Sequence, residues 1–340
     1  MKIIGRLITI GVLVCCISAL AGAVSGAEVM KEQQDKVADF WRREFDFGVF
    51  RGIGGVRLQY ARRAVAGHTA LIVVSGRTEF MEKYAEVFHD LRDLGVSLYI
   101  YDHRGQGASE RLLADSQKGH VESFADYVDD LELFIDTIVR ADRPRKIILL
   151  SHSMGGTISM LYAMKHQDLL NGLILSSPMF SITTRPIPGF LARIICRTAV
   201  LLGREKGYVF GTGPYKPDPP FADNDLTGSR TRFARNLQLI EENPELALGG
   251  PTFGWLNQSF AAVEGLQKMQ FNNLKLPVLL LQGGADKVVG QHEQQEVCER
   301  LEDCRRISFP GGRHELLMEE DRGRAAILQE IRTFLAKTGH

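Results

Sequence analysis

The residues that could do chemistry gather around one serine. Residues 147–150 are apolar, and Ser151-His152-Ser153-Met154-Gly155-Gly156 follows them directly. A strand that runs into x-Ser-x-Gly and then into a helix presents its serine on a tight turn as a nucleophile. Such a turn strains the backbone at Ser153 and needs small residues two places to either side. Ser151 stands where glycine is usual, and it is still small. A serine hydroxyl needs a base to take its proton, and the base needs a carboxylate to orient it. Both occur downstream, each in a turn after an apolar strand: residues 277–282 lead to Asp286, and residues 305–309 lead to His314. His120, His152 and His292 are rival histidines, of which His292 lies in a polar helix and reads as solvated. An oxyanion needs two donors. One is the backbone N–H of Met154. The other is the N–H of Arg77, in the loop of residues 74–78, where Gly76 lets the backbone come close. The Arg77 side chain receives no role from the sequence.

Strands alternating with helices must position these groups. Residues 46–61 read as two strands around a Gly52–Gly55 turn. Strands follow at 70–74, 96–101, 146–150, 173–175, 278–282 and 305–309, with helices at 80–94, 124–139, 153–166, 291–300 and 322–337. Runs this apolar are expected to be buried on both faces of a mainly parallel sheet covered by helices. The order Ser, Asp, His along such an alternation is that of the α/β-hydrolase fold. Residues 180–265 break the rhythm and read as a helical cap inserted between core segments 28–179 and 266–340. Within it, residues 189–203 form an amphipathic helix, with Leu191, Ile194, Ile195 and Leu202 on one side and Arg193, Arg197 and Arg204 on the other. Lys and Arg also outnumber Asp and Glu across residues 181–240. This helix either lies on an anionic bilayer or lines an acyl tunnel while its arginines meet phosphate, or it simply packs its apolar face on the core.

Of 340 residues, 44% are hydrophobic, enough for a large core. Lys plus Arg equals Asp plus Glu at 41 each, which gives no reason to expect nucleic acid as a partner. Lys2 and Arg6 precede an apolar stretch that ends near Ser25-Gly26-Ala27. Residues 1–27 therefore read as a cleaved signal peptide or as an uncleaved membrane anchor, and the protein is expected to be exported, periplasmic or attached to the inner membrane. Cys298 and Cys304 are expected to pair in an oxidising compartment, with two free thiols as the alternative. No HExxH, zinc spacing or dinucleotide fingerprint is present, so no metal or cofactor is expected.

Further segments carry a resemblance. Asp102-His103-Arg104-Gly105-Gln106-Gly107-Ala108-Ser109, Gly119-His120-Val121, the run Phe124 to Leu131, Asn236-Leu237-Gln238-Leu239, and Gly249-Gly250-Pro251-Thr252-Phe253-Gly254-Trp255 resemble the bacterial lysophospholipase and monoacylglycerol lipase branch of α/β-hydrolases. The likeness spans residues 46–335 and departs at Ser75, where many members carry His. It implies hydrolysis of a lipid ester through an acyl-enzyme, with Ser153, Asp286 and His314 as triad and Arg77 and Met154 as oxyanion donors. It implies a structural role for the loop at His103 and Arg104. Membrane-surface contact through the cap or the N-terminal segment is expected. A small-ester carboxylesterase or a proline iminopeptidase-like peptidase is the enzymatic alternative. A membrane-attached binding protein on a hydrolase fold is the non-enzymatic one.

Overall fold

The computed structural model describes residues 31–65, 67–217 and 220–338. The N-terminal reading of residues 1–27 lies outside them. The described residues divide into two compact units, one ending at Phe45 and one beginning at Asp46. In the first, a helix covers residues 31–44 (α1), and Phe45 makes ring contacts with Phe40 and Trp41.

The second unit is built on one eight-stranded sheet. Its elements, in chain order, are β1 (Asp46–Arg51), β2 (Arg57–Arg63), β3 (Thr69–Val74), α2 (Ala85–Leu91), β4 (Ser97–Tyr101), α3 (Ala125–Phe134), β5 (Lys146–His152), α4 (Met154–His166) and β6 (Gly172–Ser176). Then come α5 (Gly189–Leu201), α6 (Arg230–Glu242), α7 (Phe253–Lys268), β7 (Val278–Gly283), α8 (Gln291–Arg300), β8 (Cys304–Phe309) and α9 (Asp321–Thr338). The strand order is β1-β2-β4-β3-β5-β6-β7-β8. β1 and β2 pair antiparallel with each other and β2 with β4, and all later pairs are parallel. From β3 the chain steps one way to β4, and from β5 it steps the other way to β8. The loops after β3 and β5 therefore face each other at the point where strand order reverses, the usual ligand crevice of an open parallel sheet.

β3, β4, β5, β6 and β7 are buried almost throughout, as apolar strands covered on both faces must be. β8 departs from that expectation. It is the sheet edge, and Arg305, Arg306 and Ser308 are exposed along it. Residues 80–94 form a 3-10 turn, α2 and a second 3-10 turn, and α3 passes into a five-residue π-turn, Ile135–Val139.

Between β6 and β7, α7 packs on α5 and α4. It continues to Lys268 before the chain re-enters the sheet. α5 departs from the reading in which its apolar face packs on the core. Ala192 and Cys196 are buried and Ile195 packs on the core, while Phe190, Leu191, Ile194, Leu201 and Leu202 are exposed. Arg193 and Arg197 both ion-pair with Glu264 of α7, so they are engaged within the protein. Periodicity sorted the helix into faces but not into inside and outside, because a narrow strip of Ala, Cys and Ile is enough to seat it.

Cys298 and Cys304 form a disulfide with 5.4 Å between their Cα atoms, joining the end of α8 to the start of β8. Closing so short a loop contributes about 2 kcal/mol through the unfolded chain. Cys298→Ser/Cys304→Ser should lower unfolding stability by that amount in urea melts and leave the turnover of folded protein within about twofold. A loss of activity larger than the loss of folded protein would show that the bridge also shapes the site.

Candidate active site

Ser153 sits between β5 and α4 at φ 51° and ψ −118°. A non-glycine residue at such a backbone costs about 1–3 kcal/mol and persists only where its surroundings enforce it. Here they do. The Ser153 N–H donates to Ser176 O at 3.1 Å, and Ser153 O accepts from the N–H groups of Gly156 and Met179, both at 2.9 Å. α4 is pressed so closely against the sheet that a Cβ on Gly155 would lie 2.0 Å from Val74 O, and one on Gly156 2.5 Å from Pro178 Cβ. Ser151, in the usual glycine position, is fully buried, and its hydroxyl lies 2.6 Å from that of Ser159 on α4. The departure from glycine thus leaves no polar atom unpaired there.

The loops after β7 and β8 lie side by side because those strands pair through Gly283 and Phe309. A Cβ on Gly283 would stand 2.4 Å from Arg313 O, and the Ala285 N–H donates to Gly312 O at 2.9 Å. This brings Asp286 to His314. Asp286 Oδ2 is 2.8 Å from His314 Nδ1, and His314 Nε2 is 3.0 Å from Ser153 Oγ. Asp286 Oδ1 accepts from the N–H groups of Val288 and Val289 at 2.8 and 3.2 Å. Burial works against the Asp286 carboxylate, but the His314 hydrogen bond and charge and the two amides hold it below the usual carboxylate range. An ionised Asp286 keeps the proton on Nδ1, so the lone pair of Nε2 faces Ser153. All three side chains are at least nine-tenths buried. The arrangement can remove the hydroxyl proton of Ser153 and hold the imidazolium that results.

Met154 opens α4, where an N–H has no acceptor inside its own helix. Across from it, the loop after β3 is fixed from below by residues 102–109. His103 Nε2 is 3.1 Å from Ser75 O, and Gln106 Nε2 donates to Gly76 O and Glu79 O at 2.8 and 2.9 Å. Burial pushes the His103 imidazole down to about 4, so it stays neutral. Arg104 donates to Asp126 and Asp130 of α3, which anchors the supporting loop to the body. Among the described residues no acceptor takes the Arg77 N–H.

A buried ion cluster ties this loop to the histidine. Lys83 Nζ lies 2.9 Å from Glu79 Oε1 and 2.6 Å from Glu315 Oε1, with 5–11% of each side chain exposed. The other oxygen of Glu79 accepts from the Gly76 N–H and, at 2.6 Å, from the Tyr84 hydroxyl. Burial opposes both charges, yet Lys83 and His152 pull the Glu79 carboxyl down to about 2, and Glu315 with Glu79 holds the Lys83 ammonium above its usual value. Sequence reasoning missed this cluster. Its only signal is Glu79-x-x-x-Lys83, a spacing that more often marks an exposed helix pair.

The rival histidines have other partners. His120 Nδ1 is 2.8 Å from Thr252 Oγ1, the cap residue of α7. His152 is buried beside His314, ring centres 4.8 Å apart, with Nδ1 3.2 Å from Ser176 O. His292 is exposed near Glu296.

A family model described as serine aminopeptidase, S33, matches residues 67–321. The chain is 38% identical over 307 residues to lysophospholipase L2 of Escherichia coli (strain K12), covering 88% of this chain and 89% of that one. It is 32% identical over 266 residues to the probable lysophospholipase L2 of Haemophilus influenzae, covering 78% and 83%. Among solved structures it is similar in fold to a monoglyceride lipase from Saccharomyces cerevisiae, with a TM-score of 0.67, 17% identity, and coverage of 87% and 96%.

Lys83→Met should leave Glu79 and Glu315 buried without their counter-charge and cost about 3–5 kcal/mol at pH 7. In the wild type, Glu79 has a folded pKa below its ordinary 4.5, so its stabilisation is complete above 4.5 and is lost as pH falls from there towards about 2. In the variant, burial acts unopposed by the ammonium and raises the Glu79 carboxyl. Its penalty is then greatest at neutral pH, and the deficit against wild type should narrow on acidification towards pH 4. Urea melts at pH 7, 5 and 4 measure this, and a deficit independent of pH would contradict it.

Proposed function

The chain belongs to the serine aminopeptidase S33 family of α/β-hydrolases, and from that premise we propose how it works as a serine hydrolase of lipid esters, a lysophospholipase or monoacylglycerol lipase. The observation that carries the mechanism is the Ser153–His314–Asp286 hydrogen-bonded chain at 3.0 and 2.8 Å. His314 takes the proton of Ser153 as Oγ attacks the ester carbonyl, and Asp286 holds the imidazolium. The N–H groups of Met154 and Arg77 receive the oxyanion. Collapse of the tetrahedral intermediate returns the proton from His314 to the leaving glycerol oxygen, and the acyl group stays on Ser153. Water, activated by the same histidine, releases the fatty acid. No step calls for a metal or cofactor.

The exposed apolar surface of the cap supports docking on a lipid surface. Phe190, Leu191, Ile194, Leu201, Leu202 and Phe210 are each 41–85% exposed, on α5 and the segment after it. Apolar surface of this extent on a soluble face marks an interaction site. Here the occupant is the bilayer or micelle that holds the substrate, reached by apolar insertion rather than by Arg193 and Arg197. For location, the Cys298–Cys304 bridge supports an exported protein, since disulfides persist in oxidising compartments.

Ser153→Ala should lower kcat on lysophospholipid by at least about 10⁴-fold, His314→Ala by a similar factor and Asp286→Asn by less. The panel should set lysophosphatidylethanolamine and monoolein beside p-nitrophenyl acetate and a proline amide. Turnover of the proline amide above the lipids would replace the lipid-ester reading with a peptidase one.

Phe190→Ser/Ile194→Ser should weaken binding to vesicles and raise KM for vesicle-borne substrate several-fold, with p-nitrophenyl acetate hydrolysis held within about twofold. Co-sedimentation that is unaffected by the double substitution would remove the cap face from the membrane contact.

A further inference from the structure

Arg77 offers more than its backbone. Its Nη2 donates to Gly249 O of the cap segment at 2.7 Å, and its Cζ lies 5.0 Å from the centre of the Trp255 ring. The backbone of residue 119 packs so closely on it that a Cβ there would be 2.4 Å from Nη2. Nε is enclosed and has no acceptor. Among the described residues no carboxylate stands in ion-pair range of this guanidinium. The more deeply buried Arg104 and Arg324 are treated differently: Arg104 has Asp126 and Asp130, and Arg324 has Asp90 and Glu86. Burial pulls the Arg77 guanidinium down to about 10, which leaves it charged at neutral pH. A cation taken out of water without an anion is costly unless an anion arrives. Arg77 keeps part of its surface open, and its Nη1 is neither enclosed nor bonded to the protein, so a ligand can reach it.

We propose that the Arg77 guanidinium receives the phosphate of a lysophospholipid while the N–H of the same residue receives the ester oxyanion. The covalent lengths match. Six bonds separate the ester carbonyl carbon of a 1-acyl lysophospholipid from its phosphorus, and six separate the Arg77 amide nitrogen from its guanidinium carbon. A guanidinium presents a planar fork of donors suited to phosphate. A 1-monoacylglycerol ends one bond sooner, in a neutral hydroxyl. Arg77 therefore sets the order of preference between the two substrates. This rests on the lipid-ester reading above and goes beyond it by naming the residue that discriminates.

The test measures kcat/KM on 1-oleoyl-lysophosphatidylethanolamine and on 1-monooleoylglycerol in neutral detergent micelles, for wild type, Arg77→Gln and Arg77→Lys. Gln keeps an amide donor but is shorter and carries no charge. The selectivity ratio for the phosphate-bearing lipid should fall at least tenfold in Arg77→Gln and recover in part in Arg77→Lys. Equal loss on both lipids would make Arg77 a strut for the cap and overturn the proposal. A second readout needs no lipid turnover. sn-Glycerol 3-phosphate should slow fluorophosphonate labelling of Ser153 in wild type, and at least tenfold more of it should be needed in Arg77→Gln. Equal protection of both proteins, or none in either, would also overturn it. Inorganic phosphate that protects as well as the glycerol ester would reduce the site to a general anion pocket and refute headgroup reading. Failure of wild type to cleave either lipid would refute the lipid-ester reading, and the labelling arm would still decide the role of Arg77.

Discussion

The left-handed backbone at Ser153 is the constraint on which the rest of the structure depends. A residue at φ 51° stays there only if its neighbours leave no other path. The N-terminus of α4 must therefore press on β3 and on the turn after β6, and glycines must stand at 155 and 156. That pressing brings the free amide of Met154 opposite the loop after β3. It also fixes where the base must come from, because the hydroxyl faces the crevice towards which β7 and β8 point their loops.

Holding two such loops in register is an electrostatic problem as much as a packing one. Lys83 solves it from within. Its single ammonium faces carboxylates from both sides of the site, one next to Gly76 and one next to His314. Buried ion pairs contribute little net stability against well-packed apolar groups. What this one supplies is geometric: the oxyanion loop cannot drift from the histidine loop without exposing an unpaired charge. The cap is fastened by a different chemistry, through hydroxyl, carbonyl and ring contacts of His120 and Arg77 with Thr252, Gly249 and Trp255. One connection is thus made by charge, and the other is nearly neutral apart from a single guanidinium.

Much of this was legible in the sequence where the signal is local. Apolar runs buried on both sides announce parallel strands, and a residue in the turn after such a strand falls at the crevice, so Ser153, Asp286 and His314 could be placed before their contacts were known. Cys298 and Cys304 were legible because a six-residue spacing spans a helix end and a strand start. What escaped is tertiary. Glu79 and Lys83 have the spacing of a surface pair, and only Glu315, more than two hundred residues away, turns them into a buried cluster. The outward face of α5 escaped because a hydrophobic period does not say which side meets the core. The burial of β8 was overestimated because Arg305, Arg306 and Ser308, polar residues of the kind that mark an edge strand, were read with the apolar strands.

The cap lies between the strand that precedes the nucleophile and the two that deliver the acid and the base. Ser153 and His314 meet across 161 residues of chain, and β8 is the last strand in the sequence. Contacts of such long range form late, after the loop they close has been ordered. A chain still being synthesised therefore has its serine before it has its base. A protein able to degrade lipids stays inert as a nascent or truncated chain, and its first turnover reports that the whole domain has closed.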